Sequence, residues 1–330
     1  MTSSRHERRS MRSPGMVRSG ELRSRTQQRY ITPVATQEEV SMRTLNIVGC
    51  GRAGRTFARL FHQAHAFVVQ DLYDLNFAAA RACAQFADAG EPVRRLSQMR
   101  PAQVWLVATP DRAIVETASQ LVTENRLAKG NVVVHMSGAT SSLDMVAAIE
   151  FGAHAGSFHP LKTFADPGYA AGSFPGTYVA LEGDKKALKI LRVALRKAGA
   201  RVFEIESRNK VLYHAGSVVV CNYLCALMEA GLRCYEAAGI RLEWSYKLME
   251  PLVRETVDNV FRVGTVRALT GPIARGDDAI VVRQLEALRG RDRHLATLYR
   301  ELGRLALDLA RSQGSTEPRN LARVARALRE

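Results

Sequence analysis

No two of the five cysteines, Cys50, Cys83, Cys221, Cys225 and Cys234, are spaced as C-x-x-C. An odd, unpaired set cannot build a disulfide framework, so the chain is expected in a reducing compartment, the cytoplasm. Cys221 and Cys225 stand one helical turn apart, with no His or Cys elsewhere at zinc-like spacing; they are expected in the core, and no metal is expected. Also missing is any basic run interleaved with aromatics that could stack bases. The formal charge of +15 comes mostly from Arg in an Ala-rich sequence, much of it near the two ends, so nucleic acid is not an expected partner. No uninterrupted apolar span of membrane length is present either. The longest run, Ala215 to Leu232, contains Asn222 and Glu229 and ends near Arg233, which predicts a buried central helix rather than a membrane span. Arg8-Arg9 is followed by no apolar core and is not a signal peptide.

What is present is most informative at Thr44-Leu-Asn-Ile-Val-Gly49-Cys-Gly51-Arg-Ala-Gly54, where an apolar strand runs into G-x-G-x-x-G and then into a helical pattern. Gly49 permits the tight turn, Gly51 lets backbone approach a diphosphate, and Gly54 lets helix and strand pack closely. The amides opening the helix then face the phosphates, so Gly49, Cys50, Gly51, Arg52, Ala53 and Gly54 are expected to bind cofactor. The second strand, Phe67 to Asp74, ends in an acid about twenty residues past the last glycine, placed to bond the adenosine ribose. Asp71 is the alternative, and either acid could cap the helix from Asn76. Leu75 stands where an NADP site often carries Arg, which leans toward NAD(H), although Arg52 and Arg55 could supply positive charge. The cofactor is therefore NADP(H) or NAD(H).

Two further apolar runs, Gln103 to Ala108 and Asn131 to Met136, suit parallel strands covered on both faces. They end in Thr109-Pro110-Asp111 and Ser137-Gly138-Ala139, turns expected at the carboxyl edge of a doubly wound sheet, where ligands bind. Thr109 and Pro110 are assigned to the cofactor, Ser137 and Gly138 to the substrate. Gly156–Phe158, Tyr178–Leu181 and Arg201–Ile205 extend the sheet. From about Asn209 the pattern is wholly helical, with helices predicted over 209–238, 242–268, 278–290 and 291–313. The predicted fold is α/β, a doubly wound parallel sheet followed by an all-α domain. Residues 1–41 form a disordered basic leader, 42–207 the dinucleotide-binding domain, 208–314 a helical substrate and dimerisation domain, and 315–330 a basic tail. Met42, just before the first strand, is read as the true start of the protein.

The glycine turn, Val107-Ala-Thr-Pro-Asp111, His135-Met-Ser-Gly-Ala139, Gly156-Ser-Phe-His-Pro-Leu-Lys-Thr-Phe164 and Leu269-Thr-Gly-Pro-Ile-Ala-Arg-Gly-Asp277 together resemble one family. It comprises predicted NAD(P)-dependent oxidoreductases that join a Rossmann-like domain to a C-terminal helical domain of unknown function. The wider superfamily includes 6-phosphogluconate dehydrogenase and the pyrroline-5-carboxylate and ketopantoate reductases. The resemblance implies a cofactor-binding domain, a helical domain that commonly dimerises, and a substrate cleft between them. Asp74-Leu75 departs from the Asn-Arg pattern often seen there.

Candidate chemistry falls in three segments. His159 and Lys162 follow a short strand, where either can give a proton or stabilise a developing oxyanion; alternatively His159 fixes the loop and Lys162 is merely exposed. Lys210, His214, Ser217 and Cys221 are spaced to share one helical face, with Asn222 beside them to orient a substrate carbonyl; His214 can equally be a satisfied core histidine. The interrupted stretch Thr270 to Asp277 is a shaped loop in which Thr270 and Arg275 are expected to hold a substrate carboxylate, while Asp277 caps the next helix. The expected activity is hydride transfer to a C=O or C=N bond of a small carboxylate, such as a ketopantoate-like 2-keto acid; the alternative is a non-catalytic nicotinamide-nucleotide sensor.

Overall fold

The structure, a computed structural model, describes residues 42–329. The expectations for the leader and for the start at Met42 concern residues 1–41 and lie outside the described residues. Strands β1 (Arg43–Val48), β2 (Phe67–Tyr73), β3 (Glu91–Val93), β4 (Val104–Val107), β5 (Val132–His135), β6 (His154–Pro160), β7 (Tyr178–Gly183) and β8 (Arg201–Glu204) form one sheet in the order β3-β2-β1-β4-β5-β6-β7-β8. All neighbours are parallel except β6 and β7. Helices α1 (Arg52–Gln63), α2 (Phe77–Ala87), α3 (Asp111–Thr123), α4 (Val146–Phe151), α5 (Pro167–Gly172) and α6 (Lys185–Lys197) connect the strands.

The sheet is covered on both faces because its strands are apolar on both. Val132, Val134, Phe158, Val179 and Leu181 share one core with Phe57 and Phe61 of α1 and Leu191 of α6. Trp105, Val107, Val133 and Ala155 point the other way and pack with Ile114, Ala118 and Leu121 of α3. That alternation follows from the two-residue period of a strand. Burial of this kind stabilises by roughly 25 cal/mol per Å² of apolar surface, the largest favourable contribution to the fold.

After β8 the described residues are helical: α7 (Lys210–Ser217), a π turn at Val218–Asn222, α8 (Tyr223–Ala237), α9 (Leu242–Val263), α10 (Thr265–Ala268), α11 (Asp278–Arg289), α12 (Arg293–Gln313) and α13 (Pro318–Ala327). The single helix predicted over 242–268 ends at Val263, because Gly264 leaves the helical conformation at φ +82°, ψ 161° before α10. Residues set apart as a basic tail contain α13, whose Leu321 and Val324, with Leu328 just past its end, join a small core with Val281, Leu285 and Leu307.

One expectation fails plainly. The central helix is not buried: in α8 only Leu232 is fully covered, while Tyr223, Leu224 and Leu227 remain exposed. The apolar sequence was read as core, but within one chain α8 has too few packed neighbours to cover all its sides. Together α8, α9 and α12 leave an apolar groove of about 520 Å³ lined by Leu224, Leu227, Met249, Leu252, Leu298 and Leu302.

Candidate active site

The carboxyl ends of β1, β4, β5 and β6 open on one edge of the sheet, and the predicted ligand turns all lie there. Gly49 turns at φ +101°, and a Cβ on it would stand 2.6 Å from the carbonyl carbon of Ala108. A Cβ on Gly54 would overlap the Gly49 carbonyl oxygen. These two glycines are therefore fixed by the protein itself. Gly51 differs, since a Cβ there would meet nothing within 4 Å. The chain gains nothing internally from its missing side chain, as expected of a surface left bare for a phosphate ester. Helix α1 has no side-chain cap and no acid in its first turn, so its leading N–H groups of Arg52, Ala53 and Gly54 suit an anion. Arg55 Nε and Thr109 Oγ1 are buried beside this turn without a hydrogen-bond partner, a donor and a hydroxyl fit for a bound nucleotide. Pro110 is exposed at the start of α3.

Two cofactor assignments change in detail. Cys50 gives its amide to Asp74 (2.8 Å) and buries its thiol, so neither group faces the cleft. Asp74 accepts from Cys50 at one oxygen and from the amide of Asn76 (2.8 Å) at the other, so it ties the end of β2 to the glycine turn and keeps a lone pair on each oxygen. Leu75 beside it is 94% exposed.

The substrate side is built from both halves of the chain. Gly138, just past β5, lies against two imidazoles: a Cβ there would come within 2.8 Å of His159 Nε2 and of His214 Nε2. The His159 and His214 rings are 5.4 Å apart, and His159 Nδ1 is 3.0 Å from the hydroxyl of Tyr213. Ser137 donates to Asp111 (2.6 Å), and its oxygen accepts the amides of Ala139 and Thr140, which fixes the turn that carries Gly138. Burial, then His214 and Lys210, hold the His159 imidazole down at about 4. It is neutral at physiological pH. Burial raises the Tyr213 phenol to about 12.

Other predicted residues stand elsewhere. Lys210 is 1% exposed and sits beneath the cluster, its ammonium bonded to Glu182 (2.8 Å) and to the hydroxyl of Ser157. A group so enclosed cannot reach a substrate. Lys162 donates to the carbonyl of Ser173 (2.9 Å) at the end of α5 and lies over the Tyr169 ring. Of the expected stripe, Lys210, His214 and Ser217 lie together on α7, but the π turn at Val218–Asn222 adds a residue to the helical circuit and carries Cys221 out of line; Cys221 and Asn222 are exposed. Thr270 and Arg275 are exposed on a loop held by α12 and the start of α13, through Gln313 to the Leu269 carbonyl and Thr316 to that of Ala274. Asp277 does cap α11, accepting from Ile280.

Sequence reasoning missed Tyr213 and Glu182, and placed Asp111 at the ligand edge without giving it a role. Tyr213 adjoins His214, and its phenol stood out by nothing in the pattern. Glu182 had a signal, a lone acid closing the apolar run Val179-Ala-Leu, since a buried carboxylate needs partners.

A doubly wound sheet with a bare glycine turn, followed by helices that complete the cleft, defines the class. Two family models match the chain: a Rossmann-like domain over residues 33–160 and a domain of unknown function, DUF2520, over residues 177–306. The chain thus joins a Rossmann-like domain to a DUF2520 domain, and the second match takes in β7, α6 and β8 of the sheet. No curated protein matches the chain. Among solved structures, protein TM1727 from Thermotoga maritima is similar at 26% identity and a TM-score of 0.63, over 82% of this chain and 99% of that one. An imine reductase from Myxococcus stipitatus in complex with NADP+ is 17% identical with a TM-score of 0.62, over 86% of this chain and 99% of that one. An imine reductase from Pseudomonas sp. is 18% identical with a TM-score of 0.57, over 87% of this chain and 100% of that one. The two reductases show likeness of fold.

Proposed function

We propose that this protein is an NAD(P)H-dependent reductase acting on a C=N or C=O bond of a small substrate. The observation that carries the reading is the meeting of His159, Tyr213 and His214 at Gly138, on the same sheet edge as the bare glycine turn. A bound reduced nicotinamide supplies the hydride. The α1 amides, with Arg55 and Thr109, hold its nucleotide portion. With His159 protonated on Nδ1, that N–H donates to the Tyr213 oxygen and leaves the phenol O–H free to protonate the substrate. As His159 passes its Nδ1 proton to the phenolate, the ring takes one from solvent at Nε2, so the imidazole stays neutral and the proton given to the substrate comes in the end from water.

The cluster favours an imine over a 2-keto acid. Lys210, the cation beneath it, is paired with Glu182, and the carboxylate of Asp111 lies beside Ser137, so the surroundings suit an uncharged or cationic group better than a carboxylate. The imine reductases of similar fold support the same preference. A ketopantoate-like keto acid is the second choice. It would need a cation such as Arg275 brought to the cleft. The exposed apolar side chains of α8, α9 and α12, among them Phe261 at 86% exposure, support a homodimer.

Calorimetry with NADH and NADPH, followed by a screen of cyclic imines and 2-keto acids at the absorbance of the reduced nicotinamide, tests the reading. Turnover of an imine is the expected result. Tight nucleotide binding without turnover across the panel would leave a nucleotide sensor instead. No binding of either nucleotide would end both.

A further inference from the structure

His135 on β5, Ser157 on β6 and Glu182 on β7 are register partners, so their side chains form one rung on one face of the sheet. All three are at most 1% exposed. The Glu182 carboxylate at the end of this rung is saturated. One oxygen accepts from the Ser142 amide (2.9 Å), the Ser157 hydroxyl (2.6 Å) and the Lys210 ammonium (2.8 Å). The other accepts from the hydroxyls of Ser142 and Ser207, each at 2.7 Å. These donors come from the segment after β5, from β6, from the turn leaving the sheet, and from the first residue of α7. A single side chain closes the seam where the helical half departs.

The seam and the cluster above it share a register. His159 follows Ser157 by two residues on β6, which is one rung nearer the cleft on the same face, a rise of about 6.6 Å. Tyr213 and His214 follow Lys210 by three and four residues on α7, about one turn or 5.4 Å further along. One rung of strand and one turn of helix therefore lead from the Ser157–Lys210 bond to the His159–Tyr213 bond. A shift of α7 at its first residue moves Tyr213 and His214 with it.

We propose that Glu182 is a positioning residue: by holding Lys210 against Ser157 it sets α7 on β6 so that Tyr213 and His214 meet His159. It touches no substrate. Stability alone is a weak reason for a buried pair of this kind, because apolar groups of similar volume often do as well; fixing register is its best-attested use. The inference rests on the proposed function only in treating the cluster as the reacting site.

Nuclear magnetic resonance of labelled histidine tests it without a known substrate. Glu182→Gln keeps an acceptor for the serines but removes the charge that holds Lys210. The His159 resonance is expected to move as it does in Tyr213→Phe, which removes the same hydrogen bond directly. Affinity for NADH and NADPH stays within about threefold, since β1 and β4 carry the glycine turn. If Glu182→Gln does not fold, Glu182→Gln/Lys210→Met leaves no unpaired charge and is read in the same way at pH 7, where His159 is neutral in the unaltered protein. In that variant the His159 midpoint also rises from about 4, because the ammonium that helped lower it is gone, leaving burial and His214 to lower it and Asp111 to raise it. A lower melting temperature with the His159 resonance unmoved would mean that Glu182 is merely structural and overturn the proposal. Once a substrate is in hand, kcat falls on the order of 100-fold with KM retained. Failure of the unaltered protein to bind either nucleotide would overturn the functional reading and leave the histidine measurement standing.

Discussion

The two halves of this chain solve burial differently. The sheet half is closed: its strands are apolar on both faces, and helices cover both. The helical half packs a small core around α11, α12 and α13 but leaves Val219, Val220, Trp244, Leu252 and Phe261 in solvent. The sheet half is complete within one chain, and the helical half is shaped for something further. The groups proposed to react stand where the two meet, His159 from the closed half and Tyr213 and His214 from the open one.

The largest expected effect comes from cutting the hydrogen bond that joins the halves at the cluster. Tyr213→Phe removes only the hydroxyl 3.0 Å from His159. If it is the proton donor, turnover falls by about 100- to 10,000-fold, the usual contribution of a positioned acid, while nucleotide affinity is unchanged. Steady-state kinetics beside calorimetry separate the two. Unchanged turnover would place the proton donor elsewhere and make the contact between the halves only structural.

Acid should find the closed half first. His135 is buried on β5, and burial followed by the Lys210 charge lowers it to about 4; His159 is lowered to a similar value. The unfolded chain takes up these protons near 6.5, so between pH 6.5 and 4 it binds more protons than the folded protein, and stability falls as pH drops. For fully buried His135 the loss is about 3 kcal/mol. Glu182 follows at lower pH: burial opposes its ionisation, but Lys210 and the hydroxyls of Ser142 and Ser157 outweigh that and hold it at about 2, so its contribution is lost as pH falls from about 4.5 through 2. Denaturant unfolding at pH 7, 5 and 4 reads the first stage, and His135→Phe should flatten it. A stability that stayed level down to pH 4 would refute the assignment.

The same contrast explains what could be read from sequence. The sheet half was legible because its rules are local: a strand shows its period, a G-x-G-x-x-G turn shows its backbone demand, and apolar runs of four to six residues show strands buried on both faces. His159 and Gly138, which the structure brings together, and the capping Asp277 were singled out by such local rules. What failed depended on distance. Lys210 looks free in sequence, and nothing near it says that Glu182, 28 residues earlier, occupies its charge. The stripe through Cys221 failed because a π turn leaves no mark in composition. The buried central helix failed because hydropathy reports that a surface wants covering, not whether the same chain covers it.

A smaller effect tests the openness of the helical half. Phe261 is 86% exposed, and Glu in its place disturbs no packed neighbour in the single chain. If a second copy covers α9, Phe261→Glu weakens the dimer by about 2 kcal/mol or more, roughly thirtyfold, and sedimentation finds monomer where the unaltered protein is dimeric. Unfolding of the sheet half should not change. If both proteins sediment alike as monomers, the open faces need another explanation than self-association.

The smallest effect falls at the glycine turn of the closed half. Gly49 and Gly54 cannot take a side chain without meeting backbone, whereas a Cβ at Gly51 meets nothing within 4 Å. Packing within the chain therefore does not require glycine at 51, and Gly51→Ala should melt with the unaltered protein. Nucleotide affinity should still fall by about tenfold or more, some 1.4 kcal/mol, because the added methyl stands where a diphosphate approaches the α1 amides. A variant that binds NADH and NADPH as tightly as before would show that the bare surface at Gly51 is not the phosphate seat, and the uncapped start of α1 would lose its proposed purpose.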